Sequence, residues 1–105
     1  MKLGIIISQT DPETNWNVYR LGIYALKQGD SVKTFLLGKG VESEVEHEKF
    51  NVKEKVAEYL EAKGEIYACG ACMKSRKMES NDSCPLSTMK ELYDIIIDSD
   101  RILTF

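Results

Sequence analysis

The sequence predicts an α/β protein: one domain in three layers, a parallel or mostly parallel sheet with helices on both faces, in flavodoxin-like order. Three observations carry this. Short runs rich in isoleucine and valine alternate with longer segments whose apolar residues recur at helical spacing. Glycines and polar clusters fall between the two kinds of segment. The chain has 105 residues, enough for one core and too few for two, so residues 1–105 are read as a single domain. Strands that alternate with helices pair in parallel, and right-handed crossovers carry the helices to the faces.

The elements follow in order. Lys2 to Ser8 is an isoleucine-rich run that ends in Gln9-Thr10-Asp11-Pro12, a buried strand leaving into a loop. From about Thr14 the spacing turns helical, with Val18, Leu21, Ala25 and Leu26 on one face and Gly29 as the stop. Gly22 lies on that face and implies close packing on the sheet, because glycine inside a helix costs about 1 kcal/mol against alanine. Trp16, Tyr19 and Ile23 fall off that face and form either a second packing surface or an oligomer contact. Ser31 to Leu37 is the second strand, followed by the turn Gly38-Lys39-Gly40. That turn lacks the spacing of a phosphate-binding loop. Val41 to Phe50 is polar and acidic, a short helix or a loop. Asn51 caps a helix with Val52, Val56, Tyr59 and Leu60 on its apolar stripe, and Gly64 stops it. Glu65 to Ala68 is the third strand. Met73 to Met78 is read as one or two helical turns. A last helix from Leu86 to Ser99 buries Leu86, Met89, Tyr93, Ile96 and Ile97, and Arg101 to Phe105 is the final strand.

Composition excludes several functions. Hydrophobic residues make up 43% and charged residues 30%, with a net charge of −3. No block of like charges marks nucleic acid or an anionic membrane as a partner. Apolar runs are four residues or fewer, far below a membrane span. MKLGIIIS is too short for a signal peptide. The protein is read as cytoplasmic. Its three cysteines, an odd number in a reducing compartment, then point to reactive thiols or metal ligands, not to structural disulfides.

A doubly wound sheet places its chemistry outside the carboxyl ends of its strands. Three loops lie there: Gln9 to Asn15, Gly38 to Val41, and Cys69 onward. Cys69 ends the third strand and Cys72 opens a helix, where free N–H groups favour the thiolate and lower a cysteine's pKa. Arg76, one turn further on, adds positive charge on the same face. The last helix, at fourteen residues, spans about 21 Å, the depth of the sheet. Cys84, just before it, therefore returns to the edge that holds Cys69 and Cys72. Gly70 lies between the paired cysteines. Ser8, Thr10 and Asn15, at the end of the first strand, are candidates to line the pocket. Loop capping is the alternative for the two hydroxyls.

The cysteines admit four readings: buried thiols without chemistry, a CxxC dithiol as in thioredoxin, a metal site, and a sulfur carrier. A thioredoxin fold does not fit, since only one strand follows the motif. The C-x2-C-x11-C spacing is one ligand short of a structural zinc or an iron–sulfur site. His47, the lone histidine, reads as a solvated surface residue. A persulfide carrier needs an exposed thiolate and no base, metal or organic cofactor, and a second cysteine can resolve the persulfide.

The strand MKLGIIIS, the helix end LKQGDSV, the stretch VKTFLLGKGV, the motif YACGACMKSR, the segment CPLSTMKELYDIIIDSD and the strand RILTF together resemble the DsrE/DsrF-like family, with its TusD-type sulfur-relay subunits and YchN-type proteins. The resemblance spans nearly the whole chain. It implies a small α/β fold, a homo-oligomer such as a trimer or hexamer, and a cysteine that takes sulfane sulfur from a donor protein and passes it to an acceptor. The family's sulfur-carrying cysteine matches Cys69 and its basic position matches Arg76. Cys72 would activate or resolve the persulfide, and Cys84 would be a peripheral third thiol. The expected function is a sulfurtransferase or sulfur carrier. A CxxC dithiol oxidoreductase or redox sensor, and a non-enzymatic metal- or ligand-binding module, stand as alternatives.

Overall fold

The structure is a computed structural model that describes residues 1–78 and 86–105, Leu86 by its backbone alone. The chain runs β1 (Lys2–Ile7), α1 (Pro12–Lys27), β2 (Ser31–Leu36), a 3-10 turn (Gly38–Glu42), α2 (Val52–Glu61), β3 (Glu65–Cys69), α3 (Gly70–Ser75), β4 (Leu86–Ser87), α4 (Met89–Asp98) and β5 (Arg101–Thr104). The five strands form one sheet in the order β4-β3-β2-β1-β5, and every pairing is parallel.

The two faces follow from register. Val32 and Thr34 flank Lys33 in β2, and Lys33 pairs with Gly4. Successive side chains of a strand alternate between faces. On the first face, Leu3, Ile5, Ile7, Val32, Thr34, Leu36, Ile66 and Ala68 are buried. Helices α1 and α2 pack there, against each other and the sheet. The second face carries α4, whose Ile95 and Ser99 side chains lie directly over Gly4.

Local chemistry sets the helix ends. Asp11 accepts the Thr14 N–H at 2.8 Å, with Pro12 in the first turn, so α1 starts earlier than its apolar spacing indicates. Gly29, at φ 93°, leaves α1 in the left-handed conformation glycine tolerates. Asn51 caps α2 by accepting the Glu54 N–H at 3.3 Å.

Helix α1 buries Asn15, Val18, Tyr19, Gly22 and Ala25. This shifts the expected face: Leu21 is exposed, and Tyr19 is core, its ring edge-on to Tyr59 at 5.2 Å. Gly22 is needed for packing on α2, not chiefly on the sheet. A Cβ there would stand 2.9 Å from the Tyr59 ring. Burial holds the Tyr59 phenol well above its usual pKa, and its hydroxyl lies 3.1 Å from Thr34 Oγ1 and 2.9 Å from the Glu65 carbonyl oxygen. Trp16 packs within the domain, edge-on to Phe50 at 5.5 Å, with the Arg20 and Lys55 cations over its ring.

The last helix departs most from expectation. It has ten residues, Met89–Asp98, not fourteen. The backbone of Leu86 and Ser87 instead pairs with Ala68 and Cys69 as a short edge strand. Met89, Tyr93, Ile96 and Ile97 form the expected stripe, but it faces outward and is exposed. The sheet-facing side is the sparser pair of half-buried Leu92 and buried Ile95. A helix apolar on two sides offers two stripes, and spacing alone favours the denser one.

Candidate functional site

Three segments converge at the carboxyl edge of the sheet. The first is the end of β3 and the start of α3. Cys69 is 4% exposed and takes the N-cap position of α3. Buried Met73 anchors the short helix beneath it. Burial pushes the Cys69 thiol above its ordinary pKa, and the neighbouring Cys72 side chain adds to this. The N–H groups of Cys72 and Ala71 pull the other way, but none closes a capping hydrogen bond on the sulfur. The expected lowering at the helix start is thus reversed for Cys69. Desolvation of a nearly buried thiol outweighs the dipole of a six-residue helix.

The second segment is the 3-10 turn. The Leu37 N–H reaches the Ile7 carbonyl at 2.9 Å, which ties the turn to the end of β1. Gly40 sits so close that a Cβ would fall 2.0 Å from that same oxygen. Thus fixed, Gly38 directs its N–H at the half-buried Cys72, whose Sγ accepts it at 3.3 Å. Glu42, at the other end of the turn, pairs with Arg76 Nε at 3.0 Å. Arg76 also donates to the Cys72 carbonyl at 3.1 Å and to Ser75 Oγ at 3.3 Å. Arg76 therefore braces α3 against the turn, and its recorded bonds go to oxygen, not to either sulfur.

The third segment is β4 and the start of α4. Thr88 caps α4 in a capping box: its N–H donates to Glu91 Oε2 at 2.8 Å, its hydroxyl donates to the same oxygen, and Thr88 Oγ1 accepts the Lys90 N–H at 3.2 Å. Between this segment and α3 lies an open pocket of about 380 Å³. Cys69, Gly70, Ala71 and Lys74 line one side; Ser87, Thr88 and Met89 line the other.

Gly70 lines this pocket. Ser8, Thr10 and Asn15 do not. Ser8 donates to the Phe105 carbonyl at 3.3 Å, and Thr10 is exposed. Asn15 is fully buried, accepting from Gln9 Nε2 at 2.7 Å and donating to the Gln9 carbonyl at 3.2 Å. Ser8 and Asn15 tie down the β1–α1 loop. Cys84 lies outside the described residues, so its expected return to this edge has no geometry here.

Spacing did not single out Glu42, Lys74, Ser87 or Thr88; Met89 was read only as part of the buried face of the last helix, and Gly38 only as a turn. Gly38 and Cys72 are 34 positions apart, a separation that leaves no local signal. Capping chemistry was the one available cue, since Thr88 and Glu91 have capping-box spacing. Among the described residues no three His, Cys, Asp or Glu side chains gather as metal ligands. His47 is exposed, its Nδ1 accepting the N–H groups of Lys49 at 3.1 Å and Phe50 at 2.9 Å. Among the described residues no helix is long and apolar enough to cross a membrane.

Fold and site together define a small parallel α/β protein with a pair of cysteines at the carboxyl edge of its sheet. The chain belongs to the DsrE/DsrF-like family, whose family model matches residues 1–105. It is 29% identical to the uncharacterised protein MK0008 of Methanopyrus kandleri over 98% of this chain and 93% of the relative. It is equally 29% identical to the uncharacterised protein MJ0989 of Methanocaldococcus jannaschii, over the full length of both. Among solved structures, the YchN protein of E. coli superposes with a TM-score of 0.83 at 21% identity over both whole chains. The conserved protein BT1422 of Bacteroides thetaiotaomicron superposes with a TM-score of 0.82 at 21% identity, over 99% of this chain and 94% of that one. At these identities the structures establish the shared fold.

Proposed function

We propose that this protein is a sulfur carrier in which Cys69 holds sulfane sulfur as a persulfide. The observation that carries the reading is the position of Cys69: it ends β3, faces two main-chain N–H groups and lines a pocket open to an incoming donor. Deprotonated Cys69 attacks the terminal sulfur of a donor persulfide. The new bond joins Cys69 Sγ to that sulfur, the donor's S–S bond breaks, and the donor leaves as a thiolate. An acceptor thiolate then attacks the outer sulfur and releases Cys69 as thiolate. The raised pKa lowers the fraction of Cys69 present as the attacking thiolate near neutral pH. Arg76 acts as a positioning residue, holding α3 to the turn that presents the Gly38 N–H. No bound cofactor is required. Donor and acceptor are taken to be proteins, and the site of action to be the cytoplasm.

Cys72 supports a second outcome on the same site. Its thiolate attacks Cys69 Sγ of the persulfide, expels hydrosulfide and leaves a Cys69–Cys72 disulfide. That is the dithiol alternative, favoured by the adjacency of the two side chains. Intact-mass spectrometry after incubation with a small persulfide donor separates the two. Added sulfur on the Cys69 peptide, abolished by Cys69→Ser and kept in Cys84→Ser, is the expected result. Loss of two hydrogens across the Cys69–Cys72 peptide, with no sulfur gained, overturns the carrier reading in favour of dithiol chemistry.

A further inference from the structure

Among the described residues, the lining of the Cys69 pocket carries one charged side chain, Lys74. It is exposed and lies in the last turn of α3. Among the described residues it enters no ion pair. The neighbouring cation is committed elsewhere: Arg76 holds Glu42, the Cys72 carbonyl and Ser75 Oγ. The positive charge that spacing assigned to Arg76 is thus brought to the pocket by Lys74. Glu91 is bonded to the opposite wall, where its carboxylate accepts the Thr88 N–H and hydroxyl in the α4 cap. Gly70 and Ala71 are small, and Met89 adds an apolar side. Cys69 is 4% exposed, so sulfur reaches it on a slender group that enters the pocket. A volume of about 380 Å³ is that of a small-molecule site.

We propose that this pocket also takes sulfur directly from a small anionic donor, the persulfide of a short thiol that bears a carboxylate or sulfonate, and that Lys74 selects the anion. The inference rests on the reading of Cys69 as the sulfur acceptor. The Cys69 thiolate attacks the outer sulfur of the donor. A bond forms from Cys69 Sγ to that sulfur, the donor's S–S bond breaks, and the donor's inner sulfur leaves as a thiolate with the bonding pair. Attacking thiolate and donor are both negative and repel each other. A cation beside them offsets that repulsion and raises the local concentration of the donor. The departing thiol acid carries one negative charge more than the donor, so the same cation favours its release from sulfur. A lysine suits this role, because its ammonium is a point charge on a flexible stem and follows acid groups of different length.

Two measurements test the proposal. The first compares alkylation of Cys69 by iodoacetate, an anion, and by iodoacetamide, its neutral counterpart, with mercaptoethanol as the reference thiol and fragment-ion mapping to separate Cys69 from Cys72. A change in Cys69 ionisation alters both rates alike, so their ratio reports only a charge that meets the reagent. The wild-type ratio is expected to exceed the reference about threefold to fivefold, the effect of one cation about 4 Å away in water. Lys74→Gln removes that preference, Lys74→Glu reverses it, and Lys74→Arg keeps it. Salt at about 1 M suppresses it, because the screening length is then ~3 Å. The second measurement charges Cys69 with the persulfides of mercaptopropionate and cysteamine, similar in size and opposite in charge. Intact mass is expected to show faster gain of sulfur from the anionic donor, and Lys74→Gln equalises the two.

A wild-type ratio no higher than the reference overturns the anion site. A preference that survives Lys74→Gln overturns Lys74 as its cause. Sulfur gained equally from both donors overturns this inference and leaves the carrier reading standing. No sulfur gained from either donor removes the carrier reading and the donor assignment together.

Discussion

The two faces of the sheet are built to different standards. Helices α1 and α2 cover one face together, with Tyr19 and Tyr59 edge-on between them and Gly22 admitting the Tyr59 ring. The α4 face buries one α4 side chain fully, Ile95, and leaves four large apolar groups of that helix in solvent. The carboxyl edge beside it holds both described cysteines and the pocket. The closely packed face secures the fold, since deleting or crowding atoms in a dense interior is costly. The densely packed side of the sheet and the side that carries α4, with the cysteine pocket at its edge, are thus opposite sides of a single sheet.

The largest effect should come from breaking this asymmetry at its rigid side. Gly22→Leu drives a side chain into the Tyr59 ring, where even a Cβ has only 2.9 Å. Overpacking of this kind costs about 3 kcal/mol, a large share of the stability of a small domain. Tyr93→Ser, on the exposed stripe, should change monomer stability by under about 0.5 kcal/mol. Urea unfolding at low protein concentration measures both. Equal losses would remove the distinction between the faces.

The same asymmetry explains what the sequence made legible. Strands β1, β2, β3 and β5, the Asn51 cap, the Gly29 stop and the α2 stripe are local signals, and each stands where spacing and turn chemistry put it, whereas β4 was read as the start of the last helix. Cys69 at the end of β3 was likewise legible, because the short run from Glu65 to Ala68 leads directly into the CxxC segment. The orientation of α4 was not. Periodicity finds an apolar stripe but does not say what covers it, and in α4 the denser stripe turns outward. Asn15 was read as pocket lining because of its place in the loop, whereas Gln9 satisfies it internally. The bonds Gly38–Cys72 and Glu42–Arg76 join segments that touch only once the sheet has formed. No window along the chain contains both partners.

The next effect separates the braced cysteine from the buried one. Arg76→Gln removes the ion pair with Glu42, which is half-exposed and worth under about 1 kcal/mol of stability. It also frees the turn that holds the Gly38 N–H on Cys72. Cys72 alkylation at pH 8 should change severalfold once the Gly38 N–H no longer holds its Sγ in place, while the Cys69 rate stays within about twofold. Mass mapping of both peptides reads this directly. An equal change at both cysteines would show that Arg76 acts on Cys69 as well, and that the two thiols are not separately controlled.

The smallest effect is the pH signature of Cys69. Its folded pKa lies above that of the unfolded chain, chiefly through burial. Between the unfolded value near ~8.5 and the higher folded one, the native state holds a proton that the unfolded state has lost. Stability is therefore fully present below about pH 8.5 and declines as pH rises towards the folded pKa. The buried Tyr59 phenol acts in the same direction, but only above its own unfolded pKa near ~10. Wild-type protein should thus lose stability between about pH 8.5 and 10, and Cys69→Ala should flatten that interval and leave the steeper decline above it unchanged. In the same window the Cys69 alkylation rate should keep rising after that of free cysteine has levelled off. A rate that levels off at or below the free-cysteine midpoint would mean that the N–H groups of Ala71 and Cys72 outweigh burial. Cys69 would then be at least as ionised as a free cysteine, and burial would not hold back its charging.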